Sequence, residues 1–160
     1  MKTNWNRTTK QGLVAGVIGF LTVAIVIAVA DVIVGRSPLY AAALLGGALF
    51  HGVTDPASVS VMPSYVLEYT TLHLAVYLAF GLVASALAAL ADRGWQLWFV
   101  ALFFLIFVSF HLVATVQAFA LPMLSVLPAG AIWGAGLCAS AAMATYLIWR
   151  HPRIRSRQSW

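Results

Sequence analysis

Charged residues are scarce in this sequence: four of its 160 residues are acidic, and residues of both signs make up 8%. Ordinary soluble domains carry about 25% charged residues. Apolar residues reach 62% here, so a fold of this size lacks the polar surface that a soluble protein needs. A lipid bilayer can cover the apolar remainder, and the composition therefore predicts an integral membrane protein.

Catalytic signatures and disulfides are also absent. Cys138 is the only cysteine, which excludes an intramolecular disulfide, and a thiol within an apolar run is usually a packing residue. The sequence has no covalent haem motif, no phosphate-binding loop, no nucleophile–base set and no clear internal repeat. We therefore expect a non-catalytic protein more than an enzyme.

Positive charge is concentrated at the two ends of the chain. The net charge is +5, and most of the basic residues are Lys2, Arg7, Lys10, Arg150, Arg153, Arg155 and Arg157. Basic termini are typical of the cytoplasmic flanks of membrane helices, whereas nucleic-acid binding needs a basic folded surface. We expect no nucleic-acid partner, and a basic tail over 150–160 that binds anionic lipid headgroups.

Four apolar runs are long enough to cross a bilayer, which predicts an all-α transmembrane bundle. They are 12–34, 65–91, 95–120 and 126–149. The first run, of about 23 residues, exceeds the roughly 7–15 residues of a signal-peptide core. A shorter helix over 38–51 begins at Ser37 and Pro38 and ends at Gly52. It is too short to span and is predicted to be re-entrant or interfacial.

The charge pattern predicts the orientation. Two basic ends on the cytoplasmic side require an even number of spans, which four spans and a non-spanning short helix satisfy. An aromatic belt is then expected at the inner boundary, from Trp5, Trp95, Trp98 and Trp149.

Small residues four apart predict close helix packing, because membrane helices associate where their backbones can approach. The last span carries Gly130, Gly134, Cys138 and Ala142 on one face, and the first span carries Gly12 and Gly16. The small face of the last span has two interpretations: packing within the bundle, or docking of another membrane protein.

Ionisable groups inside the membrane are costly and are functional candidates. Asp31 lies in the last turn of the first span, where an acid opposes the helix dipole. Arg36 is the nearest basic residue. We expect a structural ion pair between Asp31 and Arg36, with a proton or ion site at Asp31 as the alternative.

His73 and His111 are predicted at nearly equal depth on two adjacent helices. Tyr69 and Tyr77 lie one turn on either side of His73. Three interpretations remain open: an interhelical hydrogen-bond network, a b-type haem held by both histidines, or a transition-metal site. Glu68 and His51 are the further candidate ligands of that metal site.

Two stretches resemble uncharacterised bacterial integral membrane proteins with four spans and a short helix after the first. They are 35–40 running into 44–50, and 69–75. The resemblance implies the bacterial inner membrane and carries no activity. We expect a non-catalytic subunit or accessory protein of a larger membrane complex. The alternatives are a haem- or metal-binding protein that uses His73 and His111, and a small oligomeric transporter or channel with a polar cavity lined by Asp31, His51 or Glu68.

Overall fold

The computed structural model describes residues 5–91, 106, 126, 127 and 129–151. These residues form helices, with no strand among them, so the predicted all-α class is confirmed. The helices are α1 (Trp5–Ile33), α2 (Tyr40–His51), α3 (Pro63–Ala91) and α4 (Ala129–Arg150), with a single 3₁₀ turn over Pro56–Ser58. The predicted span over 95–120 lies outside the described residues, apart from Ile106, which is helical.

Within the described part, α1, α3 and α4 are long and apolar enough to cross a membrane. The α2 helix has 12 residues and is about 18 Å long, which is too short to span. The α1 helix begins at Trp5 and not at residue 12 as predicted. Hydropathy marks the part of a helix that lipid covers, whereas the polar turn before Gly12 contains no proline or glycine that would end the helix.

Glycines bring α1 and α3 into backbone contact. A Cβ on Gly12 would lie 2.7 Å from the Leu82 Cα, and one on Gly16 would lie 2.8 Å from the Leu78 Cα. Gly81 packs in turn on the backbone of both α1 glycines. Residue numbers fall along α3 as they rise along α1, so the two helices are antiparallel. The predicted packing role of Gly12 and Gly16 agrees with these contacts.

The α4 helix also packs antiparallel on α1. Its buried strip is Ala135, Ala139, Met143 and Leu147, and the Met143 sulfur lies against Gly19. An Arg7 Nη2 hydrogen bond to the Arg150 carbonyl, 3.2 Å long, joins the start of α1 to the end of α4. Helix α1 therefore lies between α3 and α4, which contact each other little.

In the described part of the chain, α4 packs on α1 through a face other than the predicted small one. Among the described residues, no atom lies within 4 Å of a Cβ placed on Gly130 or Gly134, and Cys138 is exposed. Ala142 is only half-buried. The strip of Ala135, Ala139 and Met143 packs instead on Ala15 and Val23 of α1.

Helix α2 packs closely on the start of α3. Gly46 lies directly against the Tyr65 backbone, where a side chain would not fit. The helix ends at Gly52, which has the left-handed backbone (φ 63°) predicted for its C-terminus. The Val53 N–H then donates to the Gly47 carbonyl at 3.1 Å, which closes the helix end.

Candidate functional site

Asp31 caps the short helix. Its side chain is 1% exposed, and its Oδ2 accepts a hydrogen bond from the Ala41 N–H at 3.0 Å. A carboxylate at this position satisfies a free backbone donor and faces the positive end of the α2 dipole. The expected cap, Ser37, accepts only from the Leu39 N–H at 3.4 Å, before the helix begins. An acid from the preceding helix therefore replaces the local hydroxyl.

Arg36 has different partners from the predicted one. Its Nη1 donates to the Val126 carbonyl at 2.7 Å, and its guanidinium lies 5.0 Å from the centre of the Tyr40 ring. Among the described residues, Asp31 and Arg36 form no ion pair, so that expectation is not met. The tight turn after α1 is instead closed by the backbone, where the Arg36 N–H donates to the Asp31 carbonyl at 2.8 Å.

The side chains of His51 and Glu68 are in hydrogen-bond contact at the same end of the bundle. The His51 Nε2 and the Glu68 Oε2 are 2.7 Å apart, and both side chains are more than a third exposed. The Tyr65 ring stacks obliquely on His51, with ring centres 4.4 Å apart. The pair joins the last turn of α2 to α3 and so fixes the short helix at its second end.

His73 lies in an aromatic cluster at the α1–α3 contact. It is 8% exposed and about 15 Å along α3 from Pro63. Tyr69 stacks on it with ring centres 5.3 Å apart, and Tyr77 meets it edge-on at 4.9 Å, as the one-turn spacing predicted. Phe20 of α1 adds a third ring, edge-on at 5.4 Å. His111 lies outside the described residues.

A cavity of about 370 Å³ lies beside this cluster, between α1, α2, α4 and the start of α3. Its described walls are almost entirely apolar, and Tyr69, Thr70 and His73 are the polar residues among them. The space exists because α1, α2 and α4 line it with alanines. Their methyl groups fill less volume than larger side chains would. A volume of this size lies within the roughly 300–1,000 Å³ of small-molecule sites.

The candidate metal ligands are only partly brought together. His51 pairs with Glu68, whereas His73 contacts aromatic rings. Over the residues that the structure describes, no group of three or more His, Cys, Asp and Glu side chains could hold a metal ion. Asp31, His51 and Glu68 do not line the apolar cavity, so this cavity is not the polar one that the transporter alternative requires.

The cavity itself was not predicted from the sequence. The small residues that line it are spread over three helices. They leave a cavity only once those helices have packed together. No protein-family model matches the sequence, and no curated protein or solved structure matches it. The site residues and their geometry therefore have to supply the functional conclusion.

Proposed function

We propose that the chain is a four-span protein of the bacterial inner membrane with both termini in the cytoplasm. The Arg7–Arg150 hydrogen bond supports it, because it places both basic flanks at one end of the bundle. Exposed Trp5 and Trp149 lie at that same end. The described residues that flank 92–125 lie at opposite ends of the bundle, since Ser85 contacts Thr8 and Val126 contacts Arg36.

We further propose that the protein is a non-catalytic subunit or accessory component of a larger membrane assembly. One observation carries this proposal: α4 has a face of small residues that packs on no described part of the chain. Gly134 and Cys138 lie on that face, and the neighbouring Leu137 is 64% exposed. Small residues give little advantage against lipid but permit close approach of another helix.

Cross-linking from position 138 tests this proposal, because Cys138 is exposed on this face of α4. A photoreactive amino acid incorporated in place of Cys138 should give a discrete adduct with another membrane protein in native membranes. Gly134→Leu should abolish the adduct, since the added side chain blocks close approach. Ala79→Leu is the matched control, on an exposed position of α3, and should leave the adduct intact.

Size analysis after mild detergent extraction gives an independent measurement. The wild-type protein should migrate in an assembly larger than the monomer, and Gly134→Leu should release it as a monomer with unchanged thermal stability. A monodisperse wild-type monomer, together with no adduct from position 138, would contradict the proposed role in an assembly.

A further inference from the structure

Among the described residues, the polar side chains of the apolar cavity all lie on one wall. Tyr69, Thr70 and His73 lie on α3, whereas the walls from α1, α2 and α4 are hydrocarbon, with Leu45 and Ile132 among them. A ligand that matches this division has a polar head against α3 and an apolar body against the other helices. Such a molecule dissolves in the bilayer. It would enter a cavity between membrane helices from the surrounding lipid.

The described lining favours a neutral head group. Among the described residues, no Asp, Glu, Lys or Arg lines the cavity, and a charged head buried without a counter-charge costs several kcal/mol or more. The hydroxyl groups of Tyr69 and Thr70 and the imidazole of His73 can all donate hydrogen bonds. They are therefore suited to a head group that accepts hydrogen bonds through carbonyl oxygens.

The shape of the polar wall favours a flat head group. Tyr69 and His73 stack with an angle of 26° between their rings, and Phe20 stands edge-on to His73 from the α1 wall. Aromatic rings pack well on planar groups in stacked or edge-on arrangements. A flexible acyl chain would pack equally well on an aliphatic wall, so it does not explain the aromatic rings.

We propose that this cavity binds a neutral membrane-soluble ligand with a flat, carbonyl-bearing ring and an apolar tail, of the prenylquinone class. Binding alone is proposed, without a redox step. The proposal is independent of the proposed assembly, because the cavity lies within a single copy of the chain.

Titration of the purified protein in lipid nanodiscs with decylubiquinone tests the proposal. Binding should be saturable, and at least about tenfold weaker for decylbenzene, which keeps the ring and tail but lacks carbonyl oxygens. His73→Phe and Thr70→Val should each weaken decylubiquinone binding about threefold to tenfold, the range of one lost hydrogen bond. Thr70→Val keeps the shape of the side chain and His73→Phe keeps a flat ring, so decylbenzene binding should not weaken in either variant.

Ala42→Phe adds a test by volume, since it places a ring in the cavity from the α2 wall and should abolish binding. Ala79→Leu, on the exposed side of α3, is the control and should bind as the wild type does. Equal affinity for decylbenzene and decylubiquinone would overturn the proposal in favour of a space filled by lipid tails. Tighter binding of decanoate, or no saturable binding of any probe, would overturn it as well.

Discussion

Replacement of Gly16 by alanine probes the contact between α1 and α3 most directly. The new methyl group would lie 2.5 Å from the Tyr77 carbonyl oxygen and 2.8 Å from the Leu78 Cα. Ordinary contacts begin near 3.4 Å, so the helices must separate by about 0.9 Å, and gaps of about 0.5–1 Å forfeit a quarter to a half of each van der Waals contact. Overpacking of this kind costs about 1–3 kcal/mol.

Gly134→Ala is the matched control, because no described atom lies within 4 Å of the added methyl group. Both substitutions raise helix propensity by up to about 1 kcal/mol. That gain cancels when the two variants are compared, and the difference between them isolates the cost of packing. We therefore expect Gly16→Ala to be less stable than Gly134→Ala by about 1–3 kcal/mol.

The measurement is an SDS titration of each purified variant in mixed micelles, followed by far-ultraviolet circular dichroism. The midpoint for Gly16→Ala should fall below that of the wild type, and the midpoint for Gly134→Ala should equal or exceed it. Equal midpoints for the two variants would refute the conclusion that Gly16 mediates close packing of α1 on α3.

Three further predictions follow from single contacts. Asp31→Ala should cost about 1–3 kcal/mol in the same titration because it leaves the Ala41 N–H without its acceptor, and Asp31→Asn should recover part of that loss; full stability of the alanine variant would contradict the capping role. Glu68→Gln should change stability by less than about 1 kcal/mol, since its pair with His51 is more than a third exposed; a loss above about 2 kcal/mol would show that this pair is essential. Cys138 should resist a water-soluble maleimide in intact membranes and react after SDS denaturation, because the reactive thiolate forms in water; rapid labelling of the native protein would place this part of α4 outside the lipid.

Much of the fold follows from composition, whereas the buried faces do not. Hydropathy alone identifies α1, α3 and α4 as apolar helices. These helices are apolar on every side, so hydrophobic periodicity cannot show which side faces the protein. The buried side of α3 is marked by small and polar residues four apart, namely His73, Tyr77, Gly81 and Ser85. That pattern is visible in the sequence. Its Gly81 is the residue of α3 that packs on Gly12 and Gly16 of α1.

Some contacts of the candidate site follow from spacing within one helix, whereas others depend on how separate helices pack. The stacking of Tyr69 and Tyr77 on His73 follows from helical spacing within α3. The approach of Phe20 depends on the register between α1 and α3, which the glycines set. For Asp31, proximity in sequence favoured Arg36, but the α2 helix presents an unsatisfied backbone donor to it. A charge next to a helix end can pair with the peptide backbone as well as with an opposite charge.

The position of α1 between α3 and α4 has a consequence for the order of assembly. Membrane helices can insert as separate units and then associate side by side. Helix α1 is the earliest of the described helices in the chain, and both later spans dock onto it rather than onto each other. Helix α3, and later α4, therefore inserts into a bilayer that already contains the surface of α1 on which it packs. Substitutions at Gly12 or Gly16 should accordingly impair biogenesis from the first pairing step onward, whereas changes at Ala135 or Ala139 should spare the α1–α3 pair and affect only the final docking of α4.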